Sequence, residues 1–146
     1  MKFFFKILFT IFILIDTSAF SIERDYFNDG VKYYEKKDYE NAKFKFEQDI
    51  VFNPKNEISY LYLSKIHREK KRYKLEEIDL NTVILLNPAN EDAIYSLVIL
   101  NINKSNFSEA EKKIEILKTL CKKKCSDLNY LNKKLKDSLK VNEWKK

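Results

Sequence analysis

Cys121 and Cys125 are the chain's two cysteines and His67 is its one histidine, so nucleophilic, redox or metal chemistry would have to start from these three. Two side chains four residues apart on a regular helix hold their Cβ atoms about 5–6 Å apart, whereas a disulfide needs about 3.5–4.5 Å. A bond between the cysteines therefore requires Lys122, Lys123 and Lys124 to turn, which places a helix break there. The loop is so short that chain entropy contributes only about 2 kcal/mol. The alternative is a redox-active pair whose thiolates the three lysines favour. Its spacing differs from the two-residue spacing of thioredoxin-like motifs, and no strand-rich pattern accompanies it. A structural clip is the expectation. His67 would need a serine and a carboxylate to act as a base. No nucleophile motif accompanies it, so a packed or hydrogen-bonded histidine is expected. No cluster has metal-ligand spacing and no glycine-rich loop could cradle phosphate, so neither enzyme activity, metal nor cofactor is expected. Asn103-Lys104-Ser105 and Asn106-Phe107-Ser108 match the glycosylation triplet, a pattern common by chance.

The elements that would hold these residues are helices. One glycine and two prolines in 146 residues are too few for a chain of tight hairpins. Residues 1–21 read as a signal peptide: Lys2 and Lys6 give a positive start, Ile7 to Ile15 is apolar but for Thr10, and Ala19 or Ser21 offers a small residue at the cut. Lys6 and Asp16 bracket a run far shorter than the ~20 residues a membrane span needs. An uncleaved anchor over 3–20 is the alternative, and membrane contact follows only from it. No cysteine follows the run, which disfavours a lipoprotein. The expected location is exported, periplasmic or extracellular. The formal charge of +6 is concentrated in the C-terminal part, where ten lysines from Lys118 to Lys146 face Asp127, Asp137 and Glu143. A solvated lysine-rich face is the expectation, with attraction of anionic lipid headgroups or an acidic partner surface the alternative, and export removes nucleic acid from reach.

The string Asn53-Pro54-Lys55-Asn56-Glu57 returns as Asn87-Pro88-Ala89-Asn90-Glu91, an offset of 34 residues. Tyr39, Tyr73 and Phe107 keep the same offset, as do Tyr26, Tyr60 and Ile94, and Phe46, Leu80 and Ile114. Apolar residues recur at helical spacing within each segment. Asp38 and Asn106 stand at N-cap positions, and Pro54 and Pro88 stop the helices before them. The expected helices lie near 23–36, 39–52, 57–70, 73–86, 91–103 and 107–120, with a seventh at 127–140 capped by Ser126. The seventh carries a stripe of Leu128, Leu131, Leu135 and Leu139 with Lys133, Lys134 and Lys140 away from it.

This pattern resembles the tetratricopeptide repeat family over about residues 23–124. The first unit carries Tyr26, Gly30, Tyr33, Tyr39, Ala42, Phe46 and Pro54 of the family's motif. The second keeps Tyr60, Leu63, Ser64, Tyr73, Leu80 and Pro88, and the third keeps Leu97, Phe107, Ala110, Ile114 and Leu117. The chain departs at His67 and Glu76, at Val98 where a small residue is usual, and in lacking a third closing proline. Val98 is expected to push the third pair apart, and Glu76 to need Lys43 or Arg72 as a partner or to tilt to solvent. The resemblance implies an all-α solenoid over 22–140 of three helix pairs (about 23–56, 57–90 and 91–124), a capping helix at about 127–140 and a basic tail at 141–146.

It also implies a concave wall made by the first helix of each pair. That wall would present Arg24, Phe27, Val31 and Tyr34, then Leu61, Lys65 and Arg68, then Asp92, Tyr95, Ile99 and Ile102. The set is unusually apolar, and the asparagines that accompany a carboxylate clamp are missing. In the segment Glu91 to Asn103 the apolar Ala93, Ile94, Tyr95, Leu97, Val98, Ile99, Leu100 and Ile102 leave almost no polar face, so what its neighbours leave uncovered would be an apolar strip. The partner expected is a protein or peptide offering an apolar or amphipathic segment, with no nucleic acid. Burial of these residues by a tight superhelix and the capping helix is the alternative. A membrane-tethered structural subunit of an envelope complex is the other functional reading.

Overall fold

The computed structural model describes residues 25–143, with the side chains of the last two left aside. The expected signal peptide, Arg24 and the end of the basic tail lie outside the described residues. Helices α1 (Tyr26–Glu35) and α2 (Tyr39–Phe52) form the first pair, α3 (Glu57–Glu69) and α4 (Tyr73–Leu86) the second, and α5 (Glu91–Asn103) and α6 (Phe107–Leu120) the third. A 3-10 turn (Cys125–Asp127) leads into α7 (Leu128–Glu143). Each helix packs on the next in chain order, α7 closes the stack against α5 and α6, and no strand occurs among the described residues.

The turn inside each pair is the same turn three times. Lys37, Lys71 and Ser105 take a left-handed backbone, and the next amide reaches back five residues: Asp38 to Tyr33, Arg72 to His67, Asn106 to Asn101. That bond satisfies carbonyls the helix end leaves free. Asp38 caps α2 by accepting the Asn41 amide at 3.3 Å, as expected. Asn106 makes no such bond. Ser126 does not cap α7 either, because it sits within the 3-10 turn and its hydroxyl faces Asp127.

The interior divides into three adjoining clusters, one per junction. Ala42, Phe46, Leu63 and Ile66 fill the first, Leu61, Leu80, Val83, Ala93, Leu97 and Leu100 the second. The third is the largest and includes Ile94, Val98, Ile114 and Leu117 with Leu131 and Leu135 of α7. In the first pair the close-approach position faces the largest of the three core side chains at its register. A Cβ on Gly30 would lie 2.7 Å from the Phe46 ring, so the large ring requires the glycine. At the equivalent places stand Ser64 with Leu80, then Val98 with Ile114. Val98 is fully buried in the third cluster, opposite a side chain smaller than Phe46. Glu76 is also buried, 2% exposed, and its partner is neither Lys43 nor Arg72. Arg68 on α3 donates from Nε to Glu76 Oε1 at 2.7 Å.

Candidate functional site

In stacked helix pairs the first helices line the inner wall; here α1 meets α3 through the Phe27, Tyr34 and Tyr62 rings, and α3 meets α5 where Leu61 shares a cluster with Ala93 and Leu97. At its N-terminal end Phe27, Val31 and Tyr34 are half-buried against the first core cluster. They are locked by Tyr62 of α3, whose ring lies 6.1 Å from Phe27, 5.0 Å edge-on from Tyr34 and 4.8 Å stacked on Phe46. Aromatic pairs in such geometries add to simple burial. Sequence reading missed Tyr62, because Asn28 and Ser96 hold its place one repeat away on either side. Burial raises the Tyr34 hydroxyl's pKa, with Tyr39, Glu69 and Tyr62 adding to the effect and Arg68 opposing it.

The middle of the wall is cationic. Lys65 holds its ammonium 4.9 Å over the Tyr62 ring. Burial lowers its pKa and the nearby charges of Arg68 and Lys124 add to this, against the pull of Asp92. Arg68 keeps Nε on Glu76 while its Nη2 is buried without a hydrogen-bond partner among the described residues. Lys124 joins them from the disulfide loop, with its Nζ 3.3 Å from Asp92, 3.6 Å from Asp127 and 5.3 Å over the Tyr95 ring. It was legible only as a neighbour of the cysteines.

At the far end Tyr95 and Ile99 stay half-exposed. Burial raises the Tyr95 pKa, Tyr130 and Asp127 raise it further, and Lys124 and Arg68 oppose them. The expected groove narrows in two places. Leu61 (5% exposed) packs among Leu80, Val83 and Ala93, and Ile102 (4% exposed) packs in the third cluster. Both are packing residues, not open contact residues. The remainder of α5 follows the burial alternative: Ala93, Ile94, Leu97, Val98 and Leu100 are covered by α4, α6 and α7.

Cys121 and Cys125 are bonded, with their Cα atoms 5.3 Å apart. Their loop turns its amides inward: Lys122, Lys123 and Lys124 donate their backbone N–H groups to the Glu91 carboxylate at 2.9, 2.9 and 2.7 Å. Three donors favour the charged form, and these bonds, Lys124's first, hold the Glu91 pKa below its usual value. The loop is thereby tied to the start of α5, one turn from Tyr95. His67 is buried and paired through Nδ1 with Asp79 at 2.7 Å, matching the packed, hydrogen-bonded reading. Burial raises the Asp79 pKa and the His67 bond opposes it.

No protein-family model matches the chain, and no curated protein matches it. Solved structures do. The first TPR domain of Spaghetti (RPAP3), bound to the HSP90 peptide SRMEEVD, superposes with a TM-score of 0.69 at 20% identity over 78% of this chain and 90% of its own. The TPR2B domain of yeast Sti1 in its pHsp70 complex gives 0.71 at 16% identity, covering 77% and 94%. The Yersinia enterocolitica type III secretion chaperone SycD, with a peptide of the translocator YopD, gives 0.65 at 16% identity, covering 82% and 91%. The fold is that of tetratricopeptide-repeat domains.

Proposed function

We propose that this chain is a non-catalytic scaffold that holds an amphipathic segment of a partner protein along its inner wall. One observation carries the reading: Lys65 over the Tyr62 ring, Arg68 on Glu76 and Lys124 against Asp92 and the Tyr95 ring supply cations between two half-buried apolar groups, Phe27, Val31 and Tyr34 on one side and Tyr95 and Ile99 on the other. A segment with apolar residues at both ends and a negative group between them matches that order. A nucleic acid would ask for a continuous basic stripe, which the wall lacks. Three structures of the same fold carry peptide or protein partners in their names, which supports the class of ligand and leaves its identity to experiment.

Export to the periplasm or outside the cell is part of this proposal. The charged start and apolar run of residues 1–21 support it, and so does the Cys121–Cys125 bond, since disulfides persist in oxidising compartments. N-terminal sequencing of the mature protein tests it: a start near residue 20 or 22 is expected, and an intact N-terminus favours the tethered subunit instead. For the groove, the test is an affinity capture with the partner identified, repeated with Ile99→Glu and Lys65→Ala. Both variants should keep the helical circular dichroism and melt cooperatively while losing the partner at least tenfold. Undiminished capture by both would sink the groove reading.

A further inference from the structure

The junction between the third pair and α7 repeats the first junction two repeats later, and it is not filled in the same way. An offset of 68 residues carries Tyr34, Tyr39 and Tyr62 onto Ile102, Phe107 and Tyr130, and Leu63 onto Leu131, both buried. In the first junction Tyr34 lies 5.6 Å from Tyr39 and 5.0 Å from Tyr62, so the three rings pack together. At the last junction the Tyr34 ring is replaced by the smaller Ile102. A second apolar group is lost as well: Ile66 (0% exposed) and Leu100 (3%) are followed in the series by Lys134, only half-buried. An ammonium cannot be taken into a dry core unpaired. The result is a cleft of about 630 Å³ between the α5–α6 turn and α7, backed by Ile102 and Phe107 and flanked by Tyr130, Val141, Lys133 and Lys134. Tyr130 and Val141 are 53% and 56% exposed, where Tyr62 is held among three rings.

We infer that this cleft is an anchor subsite for the proposed partner segment, and that it takes a large aromatic or aliphatic side chain flanked by carboxylates. The inference rests on the groove reading and deepens it. The volume lies within the range of ligand pockets. The missing Tyr34-like ring leaves room beside Ile102 and Phe107, and Ile102 stands on α5 three residues beyond Ile99, so the cleft adjoins the end of the wall. Lys133 and Lys134 stand on its rim, with Lys136 and Lys140 on the same helix. Asp137 is the one acidic group lining it, so the rim keeps a positive balance that selects carboxylates over ammonium groups. This assigns a use to the lysine-rich end beyond a solvated face.

The test is an NMR titration of the 15N-labelled protein with acetyl-Glu-Phe-Glu-amide, using acetyl-Lys-Phe-Lys-amide and acetyl-Glu-Ala-Glu-amide as controls. Millimolar additions of the first peptide should move the amides of Ser105, Phe107, Tyr130 and Lys133, and each control should bind about tenfold more weakly, ~1.4 kcal/mol. Lys133→Glu combined with Lys134→Glu alters two side chains that are not packed in the core, and should reverse the preference between the two charged peptides. Ile102→Phe should close the cleft and abolish the shifts. If that variant fails to fold, the charge-reversal variant decides alone. Equal binding of the two charged peptides, or an unchanged preference after charge reversal, overturns the inference. So does the absence of any shift. Shifts confined to Val31, Lys65 and Ile99 overturn the subsite while leaving the groove reading standing.

Discussion

Lys37, Lys71 and Ser105 hold φ at 59°, 55° and 59° in the three equivalent turns. A side chain in that region costs about 1–2 kcal/mol, and glycine is the residue that usually ends a helix in this way. Lys37 and Lys71 are exposed, and neither side chain makes a hydrogen bond or ion pair among the described residues. Replacing Lys37 and Lys71 together by glycine should therefore stabilise the fold, by about 0.5–1 kcal/mol at each site once glycine's larger unfolded-state entropy is deducted. The melting temperature should rise by about 4–6 °C; a fall would show that the lysines make contacts worth more than the strain. These turns were legible in the sequence only by their positions. Asp38 marked the first, but no glycine marked any of the three stops. Glu76 was legible as a buried charge in need of a partner. Its partner was not, because Arg68 lies on the preceding helix across the turn, and several cations were equally near in sequence.

The turns between pairs show one element built by two kinds of chemistry. In the first, the buried Asp49 accepts from Asn53, Asn56 and Ser59, the last two at 2.7 and 2.5 Å, and Asn56 caps α3. In the second, Asn87 reaches the Glu57 carboxylate at 3.2 Å and Asn90 caps α5. Cys121 stands where Asn53 and Asn87 stand two and one repeats earlier, and its amide bonds Leu117 as theirs bond Asp49 and Val83. The missing third proline is thus replaced by a covalent closure. Glu91 plays the part of Glu57, and three backbone amides replace one asparagine. Cys121→Ser with Cys125→Ser should lower stability by up to about 2 kcal/mol, the loop being short, as read by denaturant unfolding without reductant. Glu91 adds a pH dependence of definite sign. Its folded pKa is depressed from 4.5, so its contribution is complete above the ordinary glutamate range and is lost as pH falls through the lowered folded value. The difference in melting temperature between wild type and Glu91→Gln should be present at neutral pH and vanish in acid. A difference that persists unchanged in acid contradicts the amide nest. The 34-residue register placed all of these turns in advance. It could not show that Glu91 fills the loop, since a carboxylate on backbone amides leaves no mark in residue type.

At the scale of the whole molecule, stability in a stack of repeats is a chain of nearest-neighbour terms, and here those terms are unequal. The first junction is aromatic and carries the half-buried Phe27, Val31 and Tyr34. The last depends on α7, whose Leu131 and Leu135 are 0% and 5% exposed against Ile94, Val98, Ile102, Ala110, Ile114 and Leu117. The leucine stripe of α7 made this dependence legible from sequence. The cleft beside it was not, because it arises from Ile102 being too small and Lys134 too polar for places that are filled two repeats earlier. Truncation after Asp127 keeps the disulfide and every helix of the three pairs but uncovers the third cluster. Removing two buried leucines along with the half-buried Leu128 and Leu139 forfeits about 1.5–3 kcal/mol for each fully buried side chain, a large share of a small domain's stability. The loss should be local: amides of α5 and α6 should exchange with solvent orders of magnitude faster, while those of α1 to α3 stay protected, because the terms joining them are untouched. Hydrogen exchange read helix by helix distinguishes this from uniform weakening. A truncated chain that melts in one step at the parent's temperature would mean that α7 contributes nothing to the stack and only lines the cleft.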